Sequence, residues 1–248
     1  MMPKAKEAAL KAISIEDLAE AHTTLCSVYS TCDYDFAGAE RECRRAIELN
    51  PGYSTAHHYY GLLLTRLGRH QESFAEFQKA LELEPLSLII NRNYAESFLY
   101  SRRYNESEAQ YRKTIELDPT FSTGHLGLSN LHTLMGKYAE SVDESARSKE
   151  LIGEAQNASL VREAFSRDGW TGFLRLLTED ANRLNISAHS RAWYLALLGR
   201  KDQAFENLNI AHQNREYRVG HILVDPRLDP LRDDPRFQEL VRKMGLQH

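Results

Sequence analysis

Three prolines at a constant interval of 34 residues, Pro51, Pro85 and Pro119, constrain the fold of this chain more than any other feature. A leucine stands two residues before each, at Leu49, Leu83 and Leu117, and the series reaches Leu151, where Gly153 takes the place of the proline. A fixed period of this length marks stacked supersecondary units, since a globule with one closed core imposes no such register on its sequence. With 248 residues and 42% hydrophobic content, the chain can run a continuous core along one elongated domain.

Small residues keep the same period. Gly61, Ala95 and Ser129 fall midway along the first half of each unit, and Ser73, Ser107 and Ser141 fall early in the second. Ala46, Ala80, Thr114 and Ser148 repeat further on. Where two antiparallel helices cross closely, one side chain must be small, because extra volume in a packed contact costs about 1–3 kcal/mol. Bulky residues fill the intervals: Tyr60, Leu64, Phe77 and Leu81 in one unit, Tyr94, Phe98, Tyr111 and Ile115 in the next.

These residues carry a resemblance. Tyr60-Gly61, Leu64, Gly68, Ser73, Phe77, Ala80 and Pro85 resemble a tetratricopeptide repeat, and Tyr94-Ala95, Phe98, Tyr104, Ser107, Tyr111 and Pro119 resemble a second. The Trp usual near the start of the first helix is replaced by His57, Asn91 and His125, and the Ala usual early in the second helix by Ser. The resemblance implies an all-α, right-handed superhelical solenoid of antiparallel helix pairs.

Residues 4–16 have the alanine spacing of a second helix with no first helix before it, so residues 1–17 are expected to be half of a repeat in a chain cut from a longer protein. About five helix pairs are expected over 18–218, the connection from Ser30 to Asp35 lacking the usual glycine. The tail, 219–248, differs in kind. Asp225-Pro226, Asp229-Pro230 and Asp234-Pro235 each set a capping carboxylate before a proline suited to the first helical turn. Phe237, Leu240, Val241 and Met244 then line one face of a helix that stops at Gly245, and this helix is expected to cap the open end of the stack.

The tail from Val224 to Phe237, with Phe36–Glu42 and Glu48–His58, also resembles the C-terminal repeat regions of large bacterial signalling proteins, where repeats follow a winged-helix, protein-kinase or nucleotide-cyclase module. None of those modules is visible in this chain. The resemblance implies a regulatory or sensing region and carries over no effector activity.

Formal net charge is −4 and the pI about 6.2, which supplies no general attraction to nucleic acid or to an anionic membrane. Cys26, Cys32 and Cys43 are odd in number and lack C-x-x-C spacing, and the first fifteen residues hold no apolar run. A reducing, cytoplasmic setting is expected, with neither leader nor membrane anchor. No nucleotide-binding, zinc-protease or serine-hydrolase motif occurs. His22 and Cys26 share a helix face but have no third ligand at a recognisable spacing, so they read as core residues rather than a metal site. No catalytic residue and no cofactor is expected.

Binding of a protein or peptide is the function the pattern favours. Projecting the helical period, the concave face should carry Thr55, His58, Leu62 and Arg66, then Ile89, Arg92, Glu96 and Tyr100, then Leu126, Asn130 and Leu134. Aromatic, arginine and aliphatic groups in one groove suit a peptide anchor. Two alternatives remain at this level: self-association into a homodimer through the incomplete N-terminal edge, and small-ligand sensing by Tyr94, Phe98 and Tyr100.

Overall fold

A computed structural model describes residues 2–246; the ends of the expected first and last segments, residue 1 and residues 247–248, lie outside the described residues. The chain forms α1 (Met2–Ile15), α2 (Ala19–Val28), α3 (Phe36–Leu49), α4 (Ser54–Arg66), α5 (His70–Leu83), α6 (Leu88–Tyr100), α7 (Tyr104–Leu117), α8 (Ser122–Leu134) and α9 (Tyr138–Leu151). There follow α10 (Ala155–Glu179), α11 (Ala188–Leu197), α12 (Lys201–Gln213) and α13 (Pro235–Lys243). A π turn spans Tyr29–Asp33, and two 3₁₀ segments span Tyr217–His221 and Pro226–Leu231. No strand occurs among the described residues. Successive helices pack as antiparallel pairs, and the architecture is an all-helical solenoid of the tetratricopeptide type.

The small positions do what their size requires and more. Ser73 and Ser107 are fully buried at the crossings, and each hydroxyl donates to a carbonyl of the facing helix, Ser73 to Gly61 at 2.9 Å and Ser107 to Ala95 at 2.8 Å. The Ser-for-Ala departure therefore adds a hydrogen bond at each crossing without adding bulk. Between pairs, Phe77 stacks on Tyr94 with centroids 5.5 Å apart, and Phe74, Tyr94 and Phe98 complete the α5–α6 core. α10 is interrupted at Gly169 (φ 63°, ψ −155°).

Two features differ from the sequence reading. Cys26 and Cys43 form a disulfide joining α2 to α3, leaving Cys32 as the free cysteine. The pairing corrects the expectation of three reduced thiols; spacing along the sequence concealed it because the partners face each other across a helix pair. His22 instead binds Glu42 through Nδ1 at 2.5 Å and Asp17 through Nε2 at 2.6 Å.

The tail is the second. α13 does cover the last pair, with Phe237, Leu240, Val241 and Met244 buried against α11 and α12. The 3₁₀ segments before it, however, run into the inner curve of the stack, where Val219, Ile222, Leu228 and Leu231 are fully buried. Tyr34 and Phe36 of the first full pair also pack on this C-terminal cluster, and Tyr34 stacks on His212 at 5.9 Å. The solenoid thus closes on itself around its own tail.

Candidate polypeptide-binding face

The inner face is formed by α4, α6 and α8, and the tail divides it in two. Toward the C-terminal ends of these helices the expected lining residues are covered: Arg66 is 1% exposed, Glu96 4% and Tyr100 3%. The Arg66 guanidinium lies 4.6 Å from the Tyr217 ring centroid and donates to the Ser30 carbonyl at 2.9 Å. Glu96 accepts from Arg218 and lies 3.0 Å from Arg92. Tyr100 stacks on His221 with centroids 4.6 Å apart, and its hydroxyl accepts from Arg227 at 3.1 Å. Arg227 is held in turn by the buried Asp225 at 2.7 Å.

Electrostatics make this cluster self-consistent. Burial alone would raise the Glu96 carboxyl, but Arg218, Arg92 and Arg227 hold it well below the usual carboxylate range. Burial would likewise raise Asp225, and Arg227 with His189 overrides it. Desolvation pushes His221 well below its ordinary value and lowers His189 too. Each charge sits against an opposite one except Arg66, which has a carbonyl and the Tyr217 face instead.

Toward the N-terminal ends the face stays open. Ile89 is 51% exposed and Leu126 40%, with Thr55 and Arg92 half-buried beside them. His58 is buried and accepts from Asn93 at 2.8 Å, and burial lowers it to about 4, so it is neutral and structural. Leu62 and Leu134 pack into neighbouring clusters, and Asn130 is buried. Leu126 also borders a cleft of about 170 Å³ walled by Ile152, Leu177, Leu184, Ile186 and Tyr194, with Lys149 at its edge. Burial lowers the Lys149 ammonium, which donates to the Leu184 carbonyl at 3.3 Å.

The expected lining is thus split: Ile89 and Leu126 stay exposed and Thr55 half-buried, whereas Arg66, Arg92, Glu96 and Tyr100 belong to the part filled by the tail. The aromatic trio does not line one groove, since Tyr94 and Phe98 belong to the α5–α6 core and only Tyr100 meets the inner curve. Tyr217 and Arg218 fall inside the expected repeats, and His221 and Arg227 lie beside an Asp-Pro cap, so the sequence gives no sign that these four side chains meet the inner face. No group of metal-ligating side chains occurs among the described residues, and no helix of the described residues is long and apolar enough to cross a membrane.

Residues 35–87 match the family model for the tetratricopeptide repeat. The crystal structure of PilW, a widely conserved type IV pilus biogenesis factor, is similar over 83% of this chain and 97% of that one, at 21% identity and a TM-score of 0.55. PilF of Pseudomonas aeruginosa is similar over 91% of this chain and 97% of that one, at 18% identity and a TM-score of 0.52. No curated protein sequence matches the chain. Identities this low speak to fold alone: residues 35–87 match the tetratricopeptide repeat, and the chain as a whole folds as a helical solenoid of that type.

Proposed function

We propose that the chain is a non-catalytic scaffold that binds another polypeptide along the open part of its inner face. The observation that carries this reading is the pair Ile89 and Leu126, large apolar side chains left exposed on successive inner helices, Leu126 at the border of a mainly apolar cleft. Apolar groups on successive repeats suit an extended or helical segment with two anchors, and the cleft has room for the second. A peptide-display selection tests it: Ile89→Glu with Leu126→Glu should keep the wild-type helicity and melting but lose the selected peptides by at least about tenfold in affinity. Equal binding by the variant would move the site elsewhere.

The narrower reading, a regulatory or sensing region of a bacterial transcription or signalling protein, rests on the resemblance of the tail and of two interior stretches. The pilus biogenesis factors that share the fold lend that narrower reading no support, and the Cys26–Cys43 disulfide favours an oxidising compartment over the cytoplasm. Self-association has one observation in its favour: Leu10 is 47% and Ile15 79% exposed on α1. A concentration-dependent mass abolished by Leu10→Glu would support that reading.

A further inference from the structure

The turn between the two helices of a pair recurs at positions 34, 68, 102 and 136, and all four residues have positive φ. Gly68 and Gly136 adopt this conformation freely. Tyr34 (φ 53°) and Arg102 (φ 63°) hold it against the steric penalty that a Cβ brings. Both side chains reach across to the C-terminal part of the molecule. Tyr34 stacks on His212, and Arg102 donates twice to the Asp229 carboxylate, at 2.6 and 2.9 Å. A Cβ at Gly136 would meet nothing within 4 Å. Glycine is thus given up at two turns whose side chains engage the far end of the chain.

The tail itself has two unlike sides. Toward α11 and α12 it is mainly apolar, through Val219, Ile222, Leu228 and Leu231, with Asp225 beside His189 and Arg227 over the Trp193 ring as the polar exceptions. Toward α4 and α6 it presents Tyr217 to Arg66, Arg218 to Glu96, His221 and Arg227 to Tyr100, and Asp229 to Arg102, with Val224 as the apolar member. The first side is a core. The second has the polar character of a separable interface, in which charged groups fix register and partner choice.

Resting on the polypeptide-binding reading above, we infer that the segment Tyr217–Asp229 is a built-in ligand of the inner face of α4 and α6, and that this face accepts an external polypeptide presenting an arginine or lysine beside an aromatic ring. The side chains now seated there define that chemistry. Glu96 takes a cation, Tyr100 takes a planar or cationic group, and Arg66 takes an aromatic face. The occupant moves with α11–α13, to which its apolar side is fixed, so admission of a partner separates the charged contacts and leaves the core intact.

Arg218→Glu sets a carboxylate against Glu96 and tests this directly. Amide exchange in the tail and in the C-terminal turn of α6 should rise about tenfold, and a labelled synthetic peptide with the sequence of residues 214–231 should bind the variant but not the wild type. Salt at about 0.5 M should abolish that binding. Glu96→Arg combined with Arg218→Glu should restore protection and exclude the peptide. As an exposed counterpart that spares the buried cluster, Arg102→Glu should raise exchange and Asp229→Lys added to it should reverse the rise. Wild-type protection in both Arg218→Glu and Arg102→Glu, or an opened variant that ignores the peptide, would overturn the inference. So would a doubled mass of the opened variant, which would assign the face to the tail of a second copy. Ile89→Glu with Leu126→Glu should leave this peptide's binding unchanged, so the two readings fail separately.

Discussion

His57 stands where the repeat usually carries an indole, and it replaces packing area with two hydrogen bonds. Nε2 reaches the Pro51 carbonyl at 3.0 Å and Nδ1 reaches Glu76 at 2.7 Å. His125 makes the same pair of contacts to Pro119 and Glu144, and Asn91 does it without charge, donating to the Pro85 carbonyl and accepting from Gln110 at 2.7 Å. Both acceptors of His57 lack protons, so full satisfaction needs both ring nitrogens protonated. The Glu76 hydrogen bond accordingly raises His57 above its ordinary value, with burial opposing, the Pro51 carbonyl assisting and Lys79 lowering it weakly. A raised folded-state value means stability that is fully present below the unfolded value, about 6.5, and lost as pH rises through the folded one. His57→Asn with Glu76→Gln copies the uncharged pair one repeat on. The melting temperature of the wild type minus that of the double variant should therefore fall between about pH 6 and pH 8. A difference that does not change with pH would mean that His57 is neutral in the fold. The substitution of Trp was visible in the sequence; its acceptor was not, because the proline carbonyl is positioned by the turn and not by spacing.

At the scale of the helix pair, one register position shows how a fixed geometry tolerates different chemistry. Glu40 accepts from Arg69 and from the Tyr60 hydroxyl, and these with Arg44 bring it down to about 2 against the effect of burial. Two repeats on, Glu108 accepts from Lys137 at 2.7 Å and is likewise held at about 2. In the repeat between, Phe74 takes the acid's place and the Arg103 guanidinium lies 5.2 Å from its ring centroid. A cation in the turn meets an acid or an aromatic face with no change of backbone. The period and the small-residue crossings were legible because every repeat obeys them. Burial at the unit's edge was not, and the leucine that marks the period is the clearest case. Leu83 is 38% exposed, whereas Phe77 is fully buried. Leu83→Ala should cost about 1–2 kcal/mol, below the 2–5 of a buried leucine, and Phe77→Ala about 3–5 kcal/mol. Urea unfolding of the two variants checks the order, and equal losses would place Leu83 in the core after all. The tail was hidden for a related reason. Its 3₁₀ segments have neither a helical nor a strand period, so their buried residues Val219, Leu228 and Leu231, with Ile222 just after the first, give no face in the sequence.

For the whole molecule, closure changes how the solenoid should come apart. An open stack of repeats has only nearest-neighbour contacts, so its end units open first and protection falls from the middle outward. Here the first full pair and the last are in contact. Tyr34 and Phe36 pack on the cluster of α11–α13, Arg215 donates to the Cys32 carbonyl at 2.5 Å, and the Cys26–Cys43 disulfide ties α2 to α3 just behind this junction. Opening either end therefore breaks contacts on both, and the tail couples each to α4 and α6 through Arg66, Glu96 and Arg102. Native-state hydrogen exchange should then give α2–α3 and α11–α12 the same opening free energy, close to that of the central pairs. Tyr34→Ala removes the ring at the junction and relieves the positive φ only slightly, since alanine keeps a Cβ. In that variant the two ends should uncouple, α2–α3 exchanging faster by about tenfold while α6–α7 is unchanged. A wild type whose protection already falls smoothly from α6 toward both ends would show that the contact between first and last pairs contributes nothing, and that the stack behaves as an open one.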